Sequence, residues 1–395
     1  MKRGIVFLTL VLSVAVLSGV HAQNNRALQA YVDRFQESSP EVKLQILESA
    51  DMLSAEELGP LYVEALQFAL ANSDQLDTNS VIRDIALFAT REIGEGGYSQ
   101  ATGMLWRLFQ EYPDNTSRIL VLDVLGRVGT GSAQAVADVN GWVRDQANLN
   151  RGGVQIDRQV LRKAVQTLGV FADESSFAVL LDVQLARISD PITADARASM
   201  EVLPGDYADR AIETINARSI ADRLDALNYF RGDPALAPEE RSSVAAGVLE
   251  EAIRERFRLP SDVQAQRVVR YVCVNQLIDV PVPGITNLLV DHFDLTFTDY
   301  GRGMTTKTWV LEAIAALGAT GTERAAERLT ELLDLLNTYT ETNGPYDTQI
   351  MLAVVTNLQD LGSMVAYDAL FTVRLLDYPE RVREAAREAL DALSE

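Results

Sequence analysis

The sequence predicts an all-α protein, an α-solenoid of stacked antiparallel helix pairs. Three observations carry that prediction. Apolar residues recur at helical spacing over much of the chain, a Leu-Gly or Ile-Gly dipeptide closes one apolar stripe after another, and no stretch rich in β-formers precedes those glycines. Composition agrees: 395 residues, 47% apolar and 7% aromatic, suit a folded chain with ample core.

The first element is a leader. Lys2 and Arg3 form a basic start, Ile5 to Leu17 is almost wholly apolar, and Val20-His21-Ala22 places small residues where a signal peptidase inspects them. Residues 1–22 read as a cleavable secretory signal, with cleavage after Ala22 and a periplasmic or secreted product. An uncleaved anchor is the alternative, disfavoured because the run is short for a span. Without Lys2 and Arg3 the net charge of −21 becomes −23. Such an acidic protein repels nucleic acid and anionic membrane surfaces. The single Cys273 allows no internal disulfide and, in an apolar run, reads as a small core residue.

Residues 23–78 read as N-terminal capping helices, from about Asn25 to Gln36, near Pro40 to Met52, and from Glu56 to Ala71. The repeating design follows. Ala89-Thr-Arg-Glu-Ile-Gly94, Val121-Leu-Asp-Val-Leu-Gly126, Ala164-Val-Gln-Thr-Leu-Gly169, Ala313-Ile-Ala-Ala-Leu-Gly318 and Asn357-Leu-Gln-Asp-Leu-Gly362 lie 32, 43, 149 and 44 residues apart. Upstream of Gly318, Trp309, Val310, Ala313, Ile314 and Leu317 form one apolar stripe. Downstream, Ala325, Ala326, Leu329, Leu332, Leu333 and Leu336 form another behind Thr322, a candidate N-cap. The glycines are therefore expected to be helix stops in the left-handed C′ position, not phosphate loops.

Residues 79–188 hold such repeats. Residues 189–300 are irregular: Pro191, Pro204, Pro234, Pro238, Pro260, Pro281 and Pro283 fall between helical runs, which reads as degenerate repeats or an inserted domain. Residues 301–395 return to the pattern and end in a capping helix. About eight helical pairs are expected in all.

At the end of the chain, Val382-Arg-Glu-Ala-Ala-Arg-Glu-Ala-Leu390 resembles the second helix of a HEAT repeat, and Ala-x-x-Leu-Gly recurs at the corresponding place upstream. The sequence thus resembles the HEAT/armadillo helical-repeat superfamily over roughly 79–188 and 305–393. The resemblance implies a right-handed superhelix, with the helices ending in Leu-Gly on the concave side. It says almost nothing about activity, since many unrelated binders share the architecture.

Chemistry is sparse. With His21 in the leader, His292 is the one histidine left, which excludes a multi-histidine metal site and leaves Asp291-His292-Phe-Asp294 as the single catalytic or metal candidate, a weak one. Gly301-Arg-Gly-Met-Thr-Thr-Lys-Thr308 has the wrong glycine-to-lysine interval for a P-loop, and Thr305 or Thr306 is expected to cap a helix. No catalytic, cofactor or metal site is assigned, and the chain is read as a non-enzyme.

Charge divides by face. The helices ending in Leu-Gly total +1, whereas their partners total −6. On the former, Arg118, Arg158, Arg162 and Lys163 are the candidate partner-binding residues, meeting anionic groups of a protein or peptide; the alternative is pairing with acids on adjacent helices. The reading is an exported, non-catalytic binding scaffold without cofactor, the alternative an enzyme or glycan binder with its site in 189–300.

Overall fold

The computed structural model describes residues 24–50 and 53–394, so the leader expected at 1–22 lies outside the described residues. Twenty helices and no strands occur among them. The all-α expectation holds, with more helices than eight pairs would supply.

The chain forms two compact units, one ending at Gly205 and the other beginning at Asp206. Unit 1 runs through α1 (residues 24–37), α2 (Pro40–Glu48), α3 (Gly59–Ala71), α4 (Ser80–Gly96), α5 (Thr102–Glu111), α6 (Asn115–Val128), α7 (Ala133–Arg151), α8 (Arg158–Phe171), α9 (Phe177–Ala186) and α10 (Asp190–Glu201). From α2 on, each helix packs on the one two places further along, so even-numbered helices form one layer and odd-numbered helices the other. Unit 2 repeats the scheme with α11 (Tyr207–Asn216), α12 (Ile220–Arg231), α13 (Pro238–Arg254), α14 (Pro260–Asp279), α15 (Thr286–Gly301), α16 (Lys307–Ala319), α17 (Glu323–Asn343), α18 (Thr348–Leu361), α19 (Tyr367–Leu375) and α20 (Glu380–Ser394). This stacking of neighbouring pairs is that of an α-solenoid.

Local chemistry explains the boundaries. Asn79, Asp114, Asp157 and Asp347 cap α4, α6, α8 and α18, each side chain accepting from backbone N–H groups of the first turn. Pro191, Pro238 and Pro260, read from sequence as breaks, stand in the first turns of α10, α13 and α14, where a missing N–H costs nothing. The stripes point inward as expected: Val160, Leu161, Ala164, Val165 and Leu168 of α8 are fully buried, as are Val310, Ile314 and Leu317 of α16. Each large aliphatic side chain so buried contributes about 2 kcal/mol.

The recurring glycines do a different job from the one the sequence suggests. Of the five recurring glycines only Gly362 is a left-handed C-cap, at φ 64° after α18; α4 is closed instead by Gly97, at φ 66°. Gly94, Gly126, Gly169 and Gly318 lie inside the last turns of α4, α6, α8 and α16. A Cβ at Gly169 would stand 2.6 Å from Ser199 Oγ and 3.3 Å from its Cα on α10, and one at Gly318 would overlap Asn357 Oδ1 on α18. At Gly94 the neighbour is Val124 of α6, at 3.0 Å. Gly94, Gly169 and Gly318 let one even-numbered helix approach the next, so their recurrence reports helix packing rather than helix termination.

Candidate functional site

At the N-terminal ends of the even-numbered helices, one neighbouring pair in each unit is linked. The first residue of α6, Asn115, donates its side-chain amide to Asp157, the cap of α8. Unit 2 has the same rung: Lys307, the first residue of α16, donates to the Asp347 carboxylate, the cap of α18, at 3.0 Å. The chain separations, 42 and 40 residues, match one helix pair. Each aspartate thereby serves two helices, one oxygen capping its own and the other held by the preceding one.

Arg158 stands at this rung position in α8. The next even-numbered helix, α10, has Ser189 as its N-cap instead of aspartate, and that side chain makes no capping bond. The Arg158 guanidinium is consequently exposed, with no ion pair among the described residues. It opens onto a cleft of about 830 Å³ lined by Asn115, Asn150 and residues 153–159. Asp157, which also lines the cleft, keeps its charge while accepting from Asn115 and from the N–H groups of Gln159 and Val160, so of the two charged groups there Arg158 is the one with open hydrogen-bonding capacity. Asn150, Gln155 and Gln159 add amide groups able to donate and accept.

The other three candidate residues are engaged. Arg162 Nε donates to Asp195 of α10 at 2.6 Å, and Lys163 Nζ to Asp123 of α6 at 2.5 Å, so α8 is clasped from both sides. The hydrogen bond from Lys163 holds the Asp123 carboxyl below the ordinary carboxylate range, with Arg127 adding to it. Arg118 lies over the Phe109 ring at 4.4 Å and the Trp142 ring at 5.4 Å, a cation–π cluster shared with the odd-numbered α5 and α7. Trp106 stacks on Phe109 to complete it. The structure brings Arg158, Arg162 and Lys163 together on α8 and directs Arg118 elsewhere.

In unit 2, Asp291, His292 and Asp294 go to three different surroundings. Asp291 lines a cleft of about 460 Å³ beside Gly247 and Pro283. His292 is buried against Thr296, its Nε2 3.2 Å from the hydroxyl, and burial together with nearby Arg270 pushes its pKa down to about 3. Asp294 pairs with Arg328 of α17 at 2.6 Å. No group of three or more His, Cys, Asp or Glu side chains converges among the described residues. Cys273 is fully buried, and burial pushes its thiol pKa up. No described helix is long and apolar enough to cross a membrane.

Sequence reasoning missed Asn115 and the cleft-lining amides. A cap residue visible in sequence does not show which earlier helix will share it.

Neither a family model nor a curated protein matches this sequence. Among solved structures, a chain described as "Computational Design of Self-Assembling Cyclic Protein Homooligomers" is similar at 12% identity, over 79% of this chain and 94% of that one, with a TM-score of 0.12. A superposition that poor carries nothing about assembly or function, and the solenoid assignment stands on the helix packing of each unit.

Proposed function

We propose that this protein is a non-catalytic binding scaffold that presents the even-numbered helices of unit 1 to a protein or peptide, in the manner of HEAT and armadillo arrays. The observation that carries the reading is Arg158, a guanidinium left over by the rung pattern and set beside an amide-lined cleft. A guanidinium offers five donors and stays charged, and the adjacent amides satisfy backbone or side-chain polar groups. The fitting ligand is a polypeptide segment bearing a carboxylate or phosphate. Arg162 and Lys163 contribute by holding α8 in place, with their charge spent on Asp195 and Asp123. The basic leader and apolar run at residues 1–22 support an exported, periplasmic or secreted protein, with the array's stiffness as its mechanism.

Crosslinking capture from the envelope fraction tests this, with the mature chain and its Arg158→Glu variant side by side. A recurrent acidic partner captured by the parent and lost in the variant supports the reading. Capture indifferent to Arg158→Glu moves the binding face elsewhere.

A further inference from the structure

Unit 2 carries a second cluster of unlike chemistry, on α14 and α16. The rings of Tyr271 and Trp309 stack, with centroids 4.6 Å apart and planes 19° from parallel. The Tyr271 hydroxyl donates to Glu312 Oε1 at 3.0 Å, and Asn275 lies one turn further along α14. Trp309 and Glu312 are three apart on α16, and Tyr271 and Asn275 are four apart on α14, so each pair shares a helix face. All four residues are half-buried, neither core nor free surface.

Glu312 Oε2 is left buried with no hydrogen-bond donor among the described residues. A carboxylate oxygen in that position is costly unless something donates to it. The three cations of α14 and α16 have carboxylate partners of their own: Lys307 pairs with Asp347 at 3.0 Å, and Arg267 and Arg270 share Asp299 at 3.0 to 3.1 Å, while Arg270 Nε and Nη1 are buried without an acceptor among the described residues. What remains is an unneutralised carboxylate beside two electron-rich aromatic faces, in a chain of net charge −21.

We propose that Tyr271, Trp309 and Glu312 form a binding site for a cationic side chain of a polypeptide, arginine above all. A planar guanidinium can lie on an aromatic face while its edge donates to a carboxylate, combining a cation–π contact with a charge-assisted hydrogen bond. A neutral sugar would also stack, but it needs donors and acceptors together. Here the tyrosine hydroxyl is already used, and the open valence is a single anionic acceptor. The site goes beyond the scaffold reading and is independent of Arg158, which lies in unit 1 and has the opposite sign.

The test is calorimetric titration of the full mature chain with hexa-arginine, hexa-citrulline and a neutral chito-oligosaccharide at 150 mM salt, a level near ~0.15 M that screens diffuse attraction. Hexa-arginine should bind and hexa-citrulline should not, because citrulline keeps the shape and loses the charge. Glu312→Gln should weaken hexa-arginine binding about tenfold, and Trp309→Leu by a smaller factor of about three. Arg158→Glu, which lies in unit 1, should lower partner capture and leave hexa-arginine affinity at the parent level. Equal affinity in the parent, Glu312→Gln and Trp309→Leu proteins would show diffuse attraction to an acidic chain and overturn the site. So would preference for the oligosaccharide, or no binding of hexa-arginine at this salt. Should Trp309→Leu fail to fold, the isosteric Glu312→Gln decides alone.

Discussion

Two helices of the even-numbered layers begin with a cation, and their fates differ. Lys307 opens α16 and meets Asp347 at the start of α18, whereas Arg158 opens α8 and the next helix of its layer, α10, begins with Ser189 in place of an aspartate. The first cation is a structural tie, the second a free group at the mouth of a cleft. One residue at the following cap therefore decides whether the same position stabilises the array or faces a ligand. In a repeat protein, the informative residue is the one that departs from a contact its neighbours make.

The widest separation between the units should appear in acid. His292 of unit 2 has a folded pKa pushed down to about 3 from the ordinary 6.5, so below pH 6.5 the unfolded chain takes up a proton that the folded unit refuses. Stability of unit 2 should then fall as pH drops from about 6.5 to 3, by up to about 1.4 kcal/mol per pH unit. Unit 1 has no histidine among its described residues. Its Asp123, held below 3.8, keeps its contribution until pH falls past that value and loses it below. Thermal melts between pH 7 and 4 should show an early loss that His292→Leu abolishes; a slope surviving that substitution would have another source.

Packing at the glycines gives the next largest effect. Gly169→Ala should cost about 1–3 kcal/mol, because the new methyl meets Ser199 Cα as well as its movable hydroxyl. Gly126→Ala, whose Cβ would sit 3.7 Å from Val170, should be neutral or stabilising by up to about 1 kcal/mol through helix propensity. Denaturant midpoints of the two variants would order them, and equal losses would mean that the glycines act as chain breaks after all.

Breaking the intact rung comes third. Asp347→Ala removes both the Lys307 pair and the cap of α18, and should cost about 0.5–2 kcal/mol. The converse change is the smallest in energy and the sharpest for function: Ser189→Asp supplies α10 with the missing carboxylate. It should raise unit 1 stability by about 0.5 kcal/mol and lower partner capture without touching Arg158. If capture stays at the parent level while stability rises, Arg158 is not the binding group.

Much of this was legible in the sequence. The apolar stripes of α8 and α16 give their buried faces directly, because a helix repeats every 3.6 residues whatever it packs against. Helix starts at Thr322 and near Asn79 could be read for the same local reason. The Leu-Gly periodicity was visible but its cause was not. A glycine that ends a helix and a glycine that admits a neighbouring helix look alike until the neighbour is in place. Charge suffered most: Arg118, Arg158, Arg162 and Lys163 look equivalent on a helical projection, yet an aromatic cluster takes the first and adjacent aspartates take the last two. Pairing across some 40 residues depends on register between helices, which local pattern does not contain.

In the even-numbered layers α6 and α8, and α16 and α18, are tied at their N-termini by a polar rung, and a missing side chain lets α4 approach α6, α8 approach α10 and α16 approach α18 near their C-termini. Each such contact joins segments about one helix pair apart. Copying such a segment in tandem places matching halves against each other without any change of sequence. A chain built this way can lengthen by duplication and acquire novelty by decay, when a copied aspartate drifts to serine and the cation that it once held is released for another use.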